Sequence, residues 1–155
     1  MTGSDAEPGP DASGFRKIAR RYFRAALIYL SLGAVLGALM MWFGNDNLQF
    51  LHGHMLLVGA LLFGGYGAGY RWIAGQADAA PPAGATADAF SVSLAVKQFW
   101  LANIGLPGML LGSVFPVGYG LDRIGVLFGF MEAAAAVMFG VVIRRTGTLM
   151  SSPPK

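Results

Sequence analysis

The chain has 155 residues, of which 55% are hydrophobic and 12% charged, with a mean hydropathy of +0.55 and a formal net charge of +3. A soluble domain carries about a quarter charged residues, so the composition indicates one multi-pass membrane domain and excludes a separate soluble one. The absence of cysteine excludes disulfides, thiolate-bound metals and iron–sulfur clusters. The basic residues sit at the ends of apolar spans, which fits membrane topology and not nucleic acid.

Residues 1–14, MTGSDAEPGPDASG, are rich in Pro, Gly, Ala and acids and are expected to form a disordered tail. They lack the basic start and apolar stretch of a signal peptide. Phe15 to Arg24 carries Arg16, Lys17, Arg20, Arg21 and Arg24, a basic juxtamembrane segment suited to a membrane surface. Four apolar stretches follow, predicted as spans over about 22–43, 48–72, 93–117 and 123–143. Each supplies about 20 residues, enough to cross a hydrocarbon core of roughly 30 Å as a helix. The four-helix domain covers 15–145, and 146–155 reads as a C-terminal tail. The fold expected is an all-α integral membrane four-helix bundle. With both termini cytoplasmic, ten of the eleven Lys and Arg residues lie inside and only Arg123 outside, which orients the protein in a cell (inner) membrane.

Each span holds glycines four apart: Gly33 and Gly37, Gly65 and Gly69, Gly108 and Gly112, Gly125 and Gly129. That spacing lets helix backbones approach closely in lipid. Span two is the richest, with Gly59, Gly64, Gly65, Gly67 and Gly69, so it either packs very tightly or leaves room for a flat ligand.

Span two also carries the only histidines, His52 and His54, near its outer end. Two residues apart on an α-helix is about 200° of rotation, so the two rings point to nearly opposite sides and cannot chelate one ion while the segment stays helical. Below His52 the same face carries Met55, Leu56, Gly59, Phe63 and Tyr66, and a porphyrin held by His52 would lie against Gly59. Two other readings stand beside haem. Both histidines would serve as interfacial residues bonded to backbone or headgroups. Alternatively, His-Gly-His-Met would take cuprous copper, with Met40, Met41 and Met109 near.

Glu132 lies mid-span in FGFMEAAAAVMFG, about 13 Å from the outer end of span four. A charge at that depth costs about 3 kcal/mol, so the carboxyl is expected to be protonated or paired. It reads as a proton relay or a contact to a ligand, or equally as a carboxylic acid bridging helices, for instance to Asn103. Asn103, Gln98 and Lys97 read as interhelical polar contacts, and Pro107 and Pro116 as kinks. No nucleophile with a base, paired carboxylates or phosphate-binding glycine loop is present.

The stretch LHGHMLLVGALLFGGYGAGY, residues 51–70, resembles the second transmembrane helix of the catalytic subunit of haem–copper oxidases, especially the nitric-oxide-reductase and cbb3-like branches. There a Leu-His near the outer end precedes an apolar, Gly-rich run that closes with aromatic residues. QFWLANIGLPGMLLG, Gln98 to Gly112, is similar to small four-helix relatives that pair an H-x-H span with an FW-x-x-N-x-G span. The resemblance covers most of residues 22–145. It implies a b-type haem with His52 as axial ligand, Tyr70 as the closing aromatic, and His54 at a polar position that is not the family's ligand. The reading taken from the residues and the resemblance together is haem held by His52, with His54 as co-ligand or as a group behind the ligand. The family also needs a second axial histidine, a ligand for a high-spin haem and three copper-binding histidines, whereas this chain has two histidines in all. One protomer therefore cannot build an oxygen-reducing site. A second axial ligand would come from Met55, Met109, another protomer or another protein. The oxidase subunit has twelve helices in three arcs of four, which implies a homo-oligomer here, a trimer before a dimer. The function expected is electron transfer, with a redox partner protein, or diatomic gas binding. The alternatives are a copper or small-solute module without haem, or a non-catalytic accessory subunit of a respiratory complex.

Overall fold

The computed structural model describes residues 10–44, 46–79, 89–114 and 121–150. Helix α1 spans Pro10–Phe43. Span two is built in three parts: α2 over Gln49–His54, a π-helical segment over Met55–Leu62, and α3 over Phe63–Ala79. Helix α4 spans Ala89–Val114 and α5 spans Leu121–Met150. Four stretches are long and apolar enough to cross a membrane: Ala12–Phe43, Gln49–Asp78, Val92–Val114 and Arg123–Thr146. Among the described residues the protein is all-helical, as a chain in lipid must be when each backbone N–H and C=O has to be satisfied within its own segment.

The helices extend beyond the expected spans. α1 starts at Pro10, so residues 10–14 of the expected tail are helical, while 1–9 lie outside the described residues. Ala12, Phe15, Ile18, Ala19 and Tyr22 are buried and Arg16, Lys17, Arg20 and Arg24 are exposed. That three-to-four spacing gives α1 an apolar stripe for its neighbours and leaves its charges on the exposed face. α3 runs through Ala79 into the expected loop, and α5 runs to Met150. Pro107 sits inside α4, whereas Pro116 lies outside the described residues. α1 ends at Gly44, whose φ of +59° is the left-handed cap that an L side chain rarely adopts. The Gln49 N–H then bonds Asp46 O at 3.0 Å and starts the return helix.

Two antiparallel hairpins make the bundle: α1 packs along span two, and α4 packs along α5. They meet through α1 with α4, α2 with α4 and α3 with α5. Small residues set both hairpins. A Cβ built at Gly59 would lie 2.4 Å from Tyr29 Cγ, and one at Gly108 would lie 2.2 Å from Phe128 Cγ. At Gly125 it would meet the Gly112 backbone at 3.2 Å. Close approach of this kind is what holds helices together where lipid gives no hydrophobic contrast. By contrast nothing stands within 4 Å of a Cβ at Gly64 or Gly65.

Arg16, Arg20, Arg21, Arg24, Arg71, Lys97, Arg144 and Arg145 fall in the half of the bundle where α1 begins and α5 ends, and Arg123 falls at the other. Trp42, Trp72 and Trp100 are exposed, with Trp42 83% accessible at the far end of α1.

Candidate functional site

His52 is placed by α2, one turn above the π-helical segment. Its Nδ1 lies 2.9 Å from the Gly33 carbonyl of α1. A carbonyl only accepts, so Nδ1 carries the proton and donates, and the free lone pair is on Nε2. The ring lies over Gly37, where a Cβ would approach Cε1 to 2.6 Å, Nδ1 to 3.0 Å and Nε2 to 3.4 Å. The Nδ1–Cε1 edge therefore faces α1 and Nε2 is the more distant nitrogen. Gly33 and Gly37 do not simply bring two backbones together: they make the seat for one imidazole. An apolar groove lined by Leu36, Leu39, Met40, Phe43 and Leu48 opens at the same end.

His54 has different partners. Its Nδ1 bonds Phe50 O of its own helix at 3.0 Å, and its ring stacks on Phe50 with centroids 3.9 Å apart. Among the described residues no group of three or more His, Cys, Asp or Glu side chains converges on one point. Met55 turns to α1, its Cβ 3.3 Å from a Cβ built at Gly33. The Met109 sulfur lies on the α5 side, beside Gly129. The face of Gly59 is filled by the Tyr29 ring, so within one protomer no plate-like ligand fits against that glycine. Eight residues of π-helix follow the histidines directly. Each π turn takes an extra residue, is rare, and is found often at functional sites.

A second constellation lies nearer the basic end. Gln98 of α4 is fully buried, and its Oε1 accepts from the Tyr22 hydroxyl of α1 at 2.5 Å and the Tyr70 hydroxyl of α3 at 3.1 Å. One side chain thus ties three helices. Tyr22 also packs edge-on against Phe63, Tyr66 and Phe99. Phe139 of α5 closes on Tyr66 and Tyr70, with centroids at 4.7 and 5.3 Å. Gln98 is the interhelical contact expected of it. Asn103 instead donates to Phe99 O of its own helix at 2.8 Å, and Lys97 is exposed. Tyr22 was visible in the sequence only as a span end. Its role depends on the register between α1 and α4, which no local pattern carries.

Glu132 is 7% exposed, and its carboxyl lies beside the backbone of Gly105 and Leu106. Neither carboxyl oxygen completes a hydrogen bond among the described residues, and neither do the Tyr66 hydroxyl or Gln98 Nε2. Buried polar atoms without partners are uncommon, so four in one region set it apart from the rest of the bundle. The hydrogen bond to Asn103 considered above is not formed. Because neither carboxyl oxygen completes a hydrogen bond among the described residues, Glu132→Gln is expected to leave thermal stability in detergent unchanged or raise it by up to about 3 kcal/mol. A fall in the unfolding midpoint would show a partner that the carboxylate depends on.

Compared with protein-family models, curated proteins and solved structures, the chain has no match.

Proposed function

We propose that the protein binds a b-type haem in the membrane, with His52 Nε2 as an axial ligand, for electron transfer or the binding of a diatomic gas. The observation that carries the reading is the bond from His52 Nδ1 to Gly33 O. A histidine that donates one ring N–H to a backbone carbonyl has its tautomer and orientation fixed and its other nitrogen more basic, the arrangement found behind metal-bound imidazoles. The residue that fits the group is His52, and an apolar groove lined by Leu36, Leu39, Met40, Phe43 and Leu48 opens at the same end of the bundle. Gly59 does not belong to the fit, because Tyr29 covers it. Haem iron, when held, supplies a one-electron couple whose potential follows the axial ligand and the polarity around it. Gly33 and Gly37 orient the imidazole. His54, tied to Phe50, is not a co-ligand in this arrangement. Copper shared by His52, His54 and Met55 is the weaker alternative, since their contacts lead to different elements.

The proposal extends to topology and assembly. Both termini lie in the cytoplasm of a cell whose inner membrane holds the protein, as the distribution of Lys and Arg supports. A second axial ligand comes from another copy or a partner, in a homo-oligomer with a trimer favoured. Native mass spectrometry in mild detergent showing only monomer removes the oligomer.

Purified protein incubated with hemin is expected to gain a Soret absorption band that is lost in His52→Ala and kept in His54→Ala. Protein that stays colourless after hemin addition overturns the reading. So does a band that survives His52→Ala.

A further inference from the structure

At the basic end, a cleft between α1 and α3 is lined by Arg16, Arg20, Arg71, Ala19 and Phe23. Arg16 and Arg20 are four apart on one face of α1, and Arg71 reaches the cleft from α3. Like charges at that spacing repel, and a third cation from the facing helix adds to the repulsion. Arg16 is paired with Asp78. Among the described residues neither Arg20 nor Arg71 has an ion-pair partner. The cleft therefore holds two more positive charges than negative ones.

Its floor is apolar. The Phe23 ring lies against Gly67, where a Cβ would sit 3.2 Å from the ring edge. Phe23 is also the first rung of an exposed stripe that climbs α1 at helical spacing: Phe23, Leu27 and Leu30 are 40%, 64% and 48% accessible. A cationic cleft that continues directly into an apolar stripe along a transmembrane helix has the shape of an amphiphile.

We propose that this cleft is a binding site for the phosphate headgroup of an anionic glycerophospholipid. Arg20 and Arg71 hold the phosphate. Arginine suits the task because its planar fork bonds phosphate oxygens in pairs. Arg16, held by Asp78, closes the side of the cleft, and the acyl chains lie on Phe23, Leu27 and Leu30. Phosphate chemistry alone would admit free phosphate, but the stripe selects the lipid. This site is independent of His52, which lies at the opposite end of the bundle.

Native mass spectrometry of the full chain in detergent tests it, with phosphatidylglycerol, phosphatidylcholine and inorganic phosphate as probes. Each arginine near a membrane surface contributes about fivefold to the affinity for anionic lipid, so R20Q/R71Q is expected to weaken phosphatidylglycerol binding roughly 30-fold. Phosphatidylcholine binding should not change. R20K/R71K, which keeps the charge and loses the fork, should recover part of the loss. These substitutions lie on the exposed surface and spare the core. Equal binding of the two lipids by the unaltered protein overturns the proposal. So does phosphatidylglycerol binding that R20Q/R71Q leaves intact, or inorganic phosphate competing with lipid at equal concentration.

Discussion

Gln98→Leu is expected to destabilise the protein by about 2–6 kcal/mol, read as a lowered midpoint of thermal or denaturant unfolding in detergent. The side chain it removes is the shared acceptor for Tyr22 and Tyr70, at the point where α1, α3 and α4 meet. A single interhelical hydrogen bond in a membrane protein is worth only about 0.6 kcal/mol on average, so the lost bonds alone would be a small effect. The larger part is the penalty for two hydroxyls left buried without an acceptor, about 1–3 kcal/mol each in a site that water does not reach freely. Two further variants separate these contributions. Tyr22→Phe alone removes one donor, leaves Gln98 bonded to Tyr70, and is expected to cost under about 1.5 kcal/mol. The triple variant Tyr22→Phe/Tyr70→Phe/Gln98→Leu removes every member of the triad and is expected to recover most of the loss, because no group is orphaned. A triple variant as unstable as Gln98→Leu would show that packing, not hydrogen bonding, holds this junction.

Gly108→Leu is expected to cost about 1–3 kcal/mol or more and to loosen the α4–α5 hairpin. The Phe128 ring lies directly on the glycine: a Cβ there would be 2.2 Å from Cγ and 2.4 Å from both Cδ atoms. No rotation of a terminal atom relieves an overlap with the middle of a ring. Either the ring or a helix has to move. The same approach seats Glu132, since Gly105, one turn away, would place a Cβ 3.2 Å from its Oε1 and backbone N and 3.1 Å from Phe128 O. Gly108→Leu/Phe128→Ala is expected to restore much of the stability by exchanging one volume for another. Failure of that rescue would mean that the Gly108 backbone is constrained by more than the ring above it.

The face of span two that meets α1 was legible in the sequence. Helical spacing puts His52, Met55, Leu56, Gly59, Phe63 and Tyr66 on one face, and His52, Met55, Leu56 and Gly59 meet Gly37, Gly33 and Tyr29 while Phe63 and Tyr66 meet Tyr22. What occupies that face was not legible. A gap beside Gly59 and a ring filling it give the same glycine in the sequence. The π-helical segment was hidden as well, because Met55–Leu62 reads as ordinary apolar helix and the extra residue per turn is fixed by its neighbours. Glu132 stood out because a lone carboxylate in an apolar run needs only its own span to be noticed. Its orphaned state could not be seen, because that depends on α4 presenting Gly105 and Leu106 while Asn103 bonds within its own helix.

The sequence by itself determined that four stretches are long and apolar enough to cross a membrane, where the charges collect, and that two histidines and one carboxylate fall within those stretches. Length, apolarity and charge placement are local properties, and lipid converts them directly into spans. Only the tertiary structure decided that Gly33 accepts from His52, that Gln98 joins Tyr22 to Tyr70, and that Arg20 and Arg71 line one cleft. In lipid every face of a helix is apolar, so hydropathy does not say which face meets which partner. The register between helices, set by where small residues allow close approach, does.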